Sequence, residues 1–180
     1  PPQLSLDIAA HEETGLAVAW SGQGSRIASA SSDGSVRIWN VAPIPHSPFT
    51  RLRGDHGELK GMDVSDDGRF IAAGGSDGQV IVWNSETRER VGEIRLPGGA
   101  KGDIQSLAWH PDHHLLAAGD QSGNLIFIRW PEGDILATSS SGESHDRTIW
   151  NLRWTPDGRK LISSSWDQSI RVWNEKAELL

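Results

Sequence analysis

The chain has 180 residues, 36% hydrophobic and 23% charged, with a net charge of −7, 20 glycines, 9 prolines and no cysteine. This balance fits a globular protein and excludes a disordered chain and a disulfide-stapled scaffold. The acidic charge argues against nucleic acid, which rewards clustered Lys and Arg, and no apolar run approaches the ~18–20 residues of a membrane span.

In chain order, residues 4–8 (LSLDI) read as an outer strand ahead of a first full unit. Residues 16–20 (LAVAW) alternate, SGQG turns the chain, and residues 26–30 (RIASA) lead to Asp33-Gly34 and SVRIWN. Asp-Gly between two β-rich runs is a strong hairpin signal, because both central positions tolerate positive φ. The same sequence of features follows as GMDVS, RFIAA, Asp77-Gly78 and QVIVWN. It returns as SLAWH, LLAAG, Ser122-Gly123 and NLIFI, and finally as NLRWT, KLISS, Asp167-Gln168 and SIRVW. A fourth strand per unit is predicted at residues 50–53, 90–96 and 134–138, and no helix is predicted anywhere.

The turn residues Asp33, Asp77, Ser122 and Asp167 are therefore spaced by 44, 45 and 45 residues. A period of ~40–45 residues with a Trp-terminated strand is the signature of a propeller blade. The predicted fold class is all-β, a β-propeller of four-stranded antiparallel blades. The repeats fall at about residues 11–55, 56–99, 100–144 and 145–180, with residues 1–10 reserved for ring closure.

On these motifs the chain resembles the WD-repeat β-propeller family over essentially its whole length. The resemblance implies a structural tetrad of His, Ser or Thr, Asp and Trp. It is complete in His11, Ser29, Asp33 and Trp39 and in His145, Ser163, Asp167 and Trp173. The second repeat keeps His56, Asp77 and Trp83 but has Ala73 at the Ser position. The third has Ala100, Ala118, Ser122 and Ile128. The physical logic is independent of the family: a buried indole N–H needs an acceptor, and Ser, His and a carboxylate can pass the hydrogen bond onward until every group is satisfied.

Ser, His and Asp are also the ingredients of a nucleophilic triad, but catalysis needs an exposed Ser and an oxyanion hole. A Ser in a small-residue strand beside a Trp is expected to be structural, so no catalytic residue is assigned. His110, His113 and His114, with Asp112, have metal-binding chemistry but occupy a turn and lack a further convergent ligand. No metal and no cofactor are expected. Gly22-Gln23-Gly24 joins two strands without a following helix N-terminus, so it reads as a hairpin rather than a phosphate loop.

Trp20, Trp109 and Trp154 recur just before a turn and read as packing residues, whereas Trp130 lies two places beyond the repeat-closing phase and is expected to be partly exposed. Trp166 stands where the other repeats carry Ser32, Ser76 and Gln121, and Trp150 where they carry Leu16, Lys60 and Gln105. In the resembled family those positions share the top face, and surface Trp and Arg are enriched in binding hot spots. The candidate partner-binding residues are Trp150, Trp166 and Arg147, with Leu16, Lys60, Glu58, Asp103 and Gln105 around the same rim. A competing reading has Trp150 and Trp166 stack on each other to cap their blade.

The resemblance implies a non-enzymatic protein–protein interaction scaffold or sensor module, expected in the cytoplasm with protein partners and no membrane or nucleic-acid partner. The alternatives are a hydrolase with a site in the channel and a purely structural assembly module. Ring closure stays open between blades outside these 180 residues, which is preferred, a two-copy eight-bladed ring, and four blades closing alone.

Overall fold

The computed structural model describes residues 11–21, 24, 26–40, 49–54, 57–96, 102–139 and 142–180. The expected outer strand at residues 4–8 lies outside them. Fifteen strands and no helix occur among the described residues. The first sheet holds β1 (Gly15–Trp20), β2 (Arg26–Ser31), β3 (Ser35–Asn40) and β4 (Thr50–Arg53). The second holds β5 (Leu59–Val64), β6 (Phe70–Gly75), β7 (Gln79–Asn84) and β8 (Arg90–Arg95). The third holds β9 (Ile104–Trp109), β10 (Leu115–Asp120), β11 (Leu125–Arg129) and β12 (Ile135–Thr138).

The fourth sheet holds β13 (Ile149–Trp154), β14 (Leu161–Ser165) and β15 (Ile170–Trp173). Its outer edge is met by the chain doubling back, with an isolated Trp173–Leu179 bridge and a Leu180 N–H to Val172 C=O bond of 2.9 Å. Every pairing between neighbouring strands is antiparallel. The sheets are the blades of a four-bladed β-propeller, with β1, β5, β9 and β13 innermost.

The small residues of the second strands let the blades approach. Ala72, Ala73, Ala117 and Ala118 are fully buried, and a side chain at Gly74 or Gly119 would collide with Ile104 or Ile149 of the next blade. Among the described residues, three apolar clusters fill the seams between consecutive blades. Val36 and Ile38 meet Met62 and Val64 between blades 1 and 2. Val80 and Val82 meet Leu107 and Trp109 between blades 2 and 3. Leu125 and Phe127 meet Leu152 and Trp154 between blades 3 and 4. Polar bonds stitch the same seams: Asp63 accepts from the Trp109 backbone N–H (2.8 Å), and Trp154 Nε1 donates to Ala108 O (3.3 Å).

Two tryptophans depart from expectation. Trp130 is buried rather than partly exposed, edge-on to Phe70 and Trp109 at ring-centroid distances of 5.4 and 5.8 Å. Being two residues past Ile128 keeps it on the same strand face, directed into the same seam. It leans on Gly92, where there is no room for a Cβ. Trp20, in phase with the buried Trp109 and Trp154, is 55% exposed. Those two plug into the preceding blade, and no blade precedes the first among the described residues.

Candidate functional site

Both complete tetrads form. Trp39 Nε1 donates to Ser29 Oγ (3.1 Å), Ser29 Oγ lies 2.7 Å from His11 Nε2, and His11 Nδ1 lies 3.2 Å from Asp33 Oδ2. The fourth blade repeats this with Trp173 Nε1 to Ser163 Oγ (2.8 Å), Ser163 to His145 Nε2 (2.7 Å) and His145 Nδ1 to Asp167 Oδ2 (2.7 Å). Burial disfavours the Asp33 carboxylate, but hydrogen bonds from Ser35 and His11 outweigh it and hold its pKa down to about 2. Asp167 is likewise held well below the usual carboxylate range, against burial, by bonds from Ser169 and His145. Each Ser oxygen is occupied by an indole N–H and both side chains are buried, so neither Ser is presented as a nucleophile.

In the second blade His56 lies outside the described residues, Asp77 Oδ1 accepts from the Gln79 N–H at 3.1 Å, and Ala73 and Trp83 are buried. The third blade has a substitute that the phase reading missed. Asp120, two residues before Ser122, accepts from the backbone N–H of Ser122 (2.9 Å) and Asn124 (2.8 Å) and from Asn124 Nδ2 (2.8 Å). A carboxylate thus organises this hairpin too, from the end of the strand rather than from the turn. Ala118 and Ile128 are buried and apolar, as a blade without a tetrad allows.

His110, Asp112 and His114 bring ligand-type atoms within 4.8 Å of one another. However, His110 Nε2 lies 3.0 Å from Gly158 O, and its Nδ1 accepts from the Asp112 N–H at 3.1 Å. Both ring nitrogens are committed, and the ring ties blade 3 to blade 4. The innermost strands carry one acidic side chain, Asp63, and no His. Asp63 is engaged by Trp109, so no convergent hydrolytic set lines the channel among the described residues.

The rim is built by a feature that recurs once per blade. In every innermost strand the pairing to the second strand slips by one residue near its start. Gly15 pairs Ser31 and Ala17 pairs Ala30, leaving Leu16 out of the ladder. The same count leaves out Lys60, Gln105 and Trp150. A β-bulge re-aims the extra residue and twists the strand locally. All four extra residues line one cavity of about 400 Å³, together with Glu58.

Lys60 bridges two blades, with its Nζ 2.7 Å from Asp103 Oδ2 and 3.6 Å from Glu58 Oε2. The bond to Asp103 raises the Lys60 pKa against the opposing effect of burial. Trp150 and Trp166 meet edge to face at 5.3 Å and 79°, yet remain 47% and 62% exposed. The stacking and the exposure coexist, so an aromatic ledge stands beside the cavity. Arg147 is exposed on the same edge, and its carbonyl accepts from Ser165 Oγ at 2.9 Å. The eight rim candidates thus fall on one edge of the propeller, and six of them cluster at the cavity: Leu16, Glu58, Lys60, Gln105 and Trp150 line it, with Asp103 bonded to Lys60.

The family model "WD domain, G-beta repeat" matches residues 3–40, 47–84, 93–128 and 136–174. The chain belongs to the WD-repeat family. It is similar to mouse striatin, 26% identical over 182 residues, covering 97% of this chain and 23% of that protein. It is similar to mouse F-box-like/WD repeat-containing protein TBL1X, 26% identical over 97% of this chain and 26% of that protein. Mouse apoptotic protease-activating factor 1 is 26% identical over 87% of this chain and 12% of its own length. The chain thus spans about a quarter or less of these relatives. No helix among the described residues is long and apolar enough to cross a membrane.

Proposed function

We propose that this chain is a non-enzymatic interaction module that docks a protein partner on the edge carrying Trp150 and Trp166. The observation that carries the reading is the exposed edge-to-face pair standing beside the rim cavity. Large aromatic surfaces bury much area at little entropic cost and dominate hot spots. The four bulge residues supply a mixed rim: apolar Leu16, cationic Lys60 between two carboxylates, amide Gln105 and aromatic Trp150. That mixture suits a partner segment with an apolar anchor and flanking charge. Propellers offer such rigid loop faces, and function resides in the site rather than the fold. A cysteine-free chain is compatible with the cytoplasm, where we place it.

A photo-crosslinking residue at Arg147 tests the assignment. Its adducts should disappear in Trp150→Ala/Trp166→Ala and persist in Arg159→Ala, on the opposite edge. An adduct pattern unchanged by the double substitution would sink the reading.

A further inference from the structure

Blade 1 carries three arginines that the fold leaves short of acceptors. Arg37 on β3 and Arg51 on β4 are direct cross-strand neighbours, and Arg53, two residues on, shares their face of the sheet. The same cross-strand positions hold Ile81 and Glu93 in blade 2 and Phe127 and Ala137 in blade 3, so paired arginines are no requirement of a blade. Like charges set directly opposite each other weaken a strand pairing, and here nothing in the scaffold offsets them.

A guanidinium has five N–H donors. Arg171 of blade 4, in phase with Arg37, donates to the carbonyl oxygens of Glu143 and Ser144. Among the described residues Arg37, Arg51 and Arg53 make no side-chain hydrogen bond, and the Nε atoms of Arg37 and Arg51 are buried without a partner. The Arg37 side chain is only 7% exposed, with Phe49 covering its guanidinium at 4.3 Å. The carboxylates nearest to Arg37 and Arg51 belong to Glu12 and Asp33, 3.8 to 4.0 Å away and outside hydrogen-bond reach. Native structures rarely leave such buried donors unmet.

Arg51 and Arg53 line a polar cavity of about 540 Å³, together with the backbone of Gly34, Gly54 and Gly57. Its carboxylates do not make up the deficit. Asp33 is committed to His11 and Ser35, and Glu58 is paired with Lys60. Glu12 and Glu13 are exposed, so solvent screens their charge.

We propose that this cavity is a second binding site, for a phosphoryl group, with Arg51 and Arg53 as its donors and Arg37 behind them. A phosphoryl group brings three acceptor oxygens and close to two negative charges. Guanidinium forks match such oxyanions with parallel N–H bonds. A carboxylate suits the site less, since Glu12 already offers one and closes no hydrogen bond. The carrier is a phosphorylated side chain of the docked protein, a step that rests on the docking reading above. Glu58 lines both this cavity and the one beside Trp150, so a single extended segment spans the two.

Titration of the 15N-labelled chain with inorganic phosphate, followed at the arginine Nε–Hε resonances, tests the site by itself. The resonances of Arg51 and Arg53 should shift saturably. Arg51→Gln and Arg53→Gln should each weaken binding about tenfold, as loss of one charge-assisted bond does, with the far-UV circular dichroism unchanged. Glu12→Gln, at an exposed position, should tighten binding by removing the competing carboxylate. Absence of a saturable shift overturns the site, as does binding that survives both arginine substitutions or is not tightened by Glu12→Gln. Trp150→Ala/Trp166→Ala should leave phosphate binding intact, so failure of the docking edge and failure of this site are read separately. The peptide Gly-Gly-phosphoserine-Gly-Gly should shift the same resonances and its unphosphorylated form should not. Phosphate binding without phosphopeptide binding would assign the site to a free ion and overturn the protein-borne carrier.

Discussion

Asp63 on β5 reaches across the seam to accept the backbone N–H of Trp109, at 2.8 Å, from the next blade's innermost strand. Burial pushes its carboxyl up to about 6, against the lowering effect of that bond. The folded state therefore holds this proton more tightly than the unfolded chain, which releases it near pH 4. The contribution is most favourable below pH 4, declines between pH 4 and 6 and stays reduced above, by roughly 2–3 kcal/mol. Asp63→Asn keeps an acceptor oxygen without the charge. It should melt several degrees higher than wild type at pH 7.5, and the gap should close by pH 4 in calorimetric scans.

The tetrads titrate with the opposite sign. Asp33 is held down to about 2 and Asp167 lower still, so their stabilisation is present above pH 4 and lost as the pH falls towards 2. Asp33→Ala or Asp167→Ala should cost on the order of 2–4 kcal/mol at pH 7, as a broken buried network does. The acid limb of the stability curve should flatten in the same variants. A melting shift no larger than that of a surface substitution would show the network to be idle.

Trp150 and Trp166 give a contrasting expectation. Both are largely exposed, and a T-shaped pair contributes about 0.5–1.5 kcal/mol beyond area burial. Trp150→Ala/Trp166→Ala should therefore lower the urea midpoint only slightly while removing partner binding. A collapse of the fold would place the pair in the scaffold instead.

Gly123 is a test of backbone. Its φ is +91°, and an added Cβ would land on the carbonyl oxygen of His145 at the start of blade 4. Gly123→Ala combines left-handed strain with a backbone collision and should cost roughly 2–4 kcal/mol. Gly142→Ala, at φ +102° in open space, should cost less, about 1 kcal/mol. Equal losses in chemical denaturation would mean that the carbonyl moves aside.

The repeat spacing was enough to locate the blades, because they recur at fixed distances along the chain, whereas the two tetrads were named from the family resemblance. The difference between Trp20 and Trp109 was not legible: their local sequences match, and only the presence of a preceding blade separates them. Asp120 escaped because it performs the turn carboxylate's role from two residues away, a substitution that phase alone conceals. The bulges at Leu16, Lys60, Gln105 and Trp150 leave no local mark either, since they exist only in the pairing of one strand with another. The rim residues could be named in advance, but the device that projects them could not.

A residue left out of the ladder contributes no register and no rung. Its identity can change while the strand pairing and the tetrads stay as they are, with only Lys60 also losing a bond to the next blade, at Asp103. If the proposed docking edge is right, these four positions, one per blade, are where its specificity would be rewritten. For protein engineering these bulges are the first places to vary, and for comparison between relatives they are where divergence in partner should be sought before anywhere in the blades.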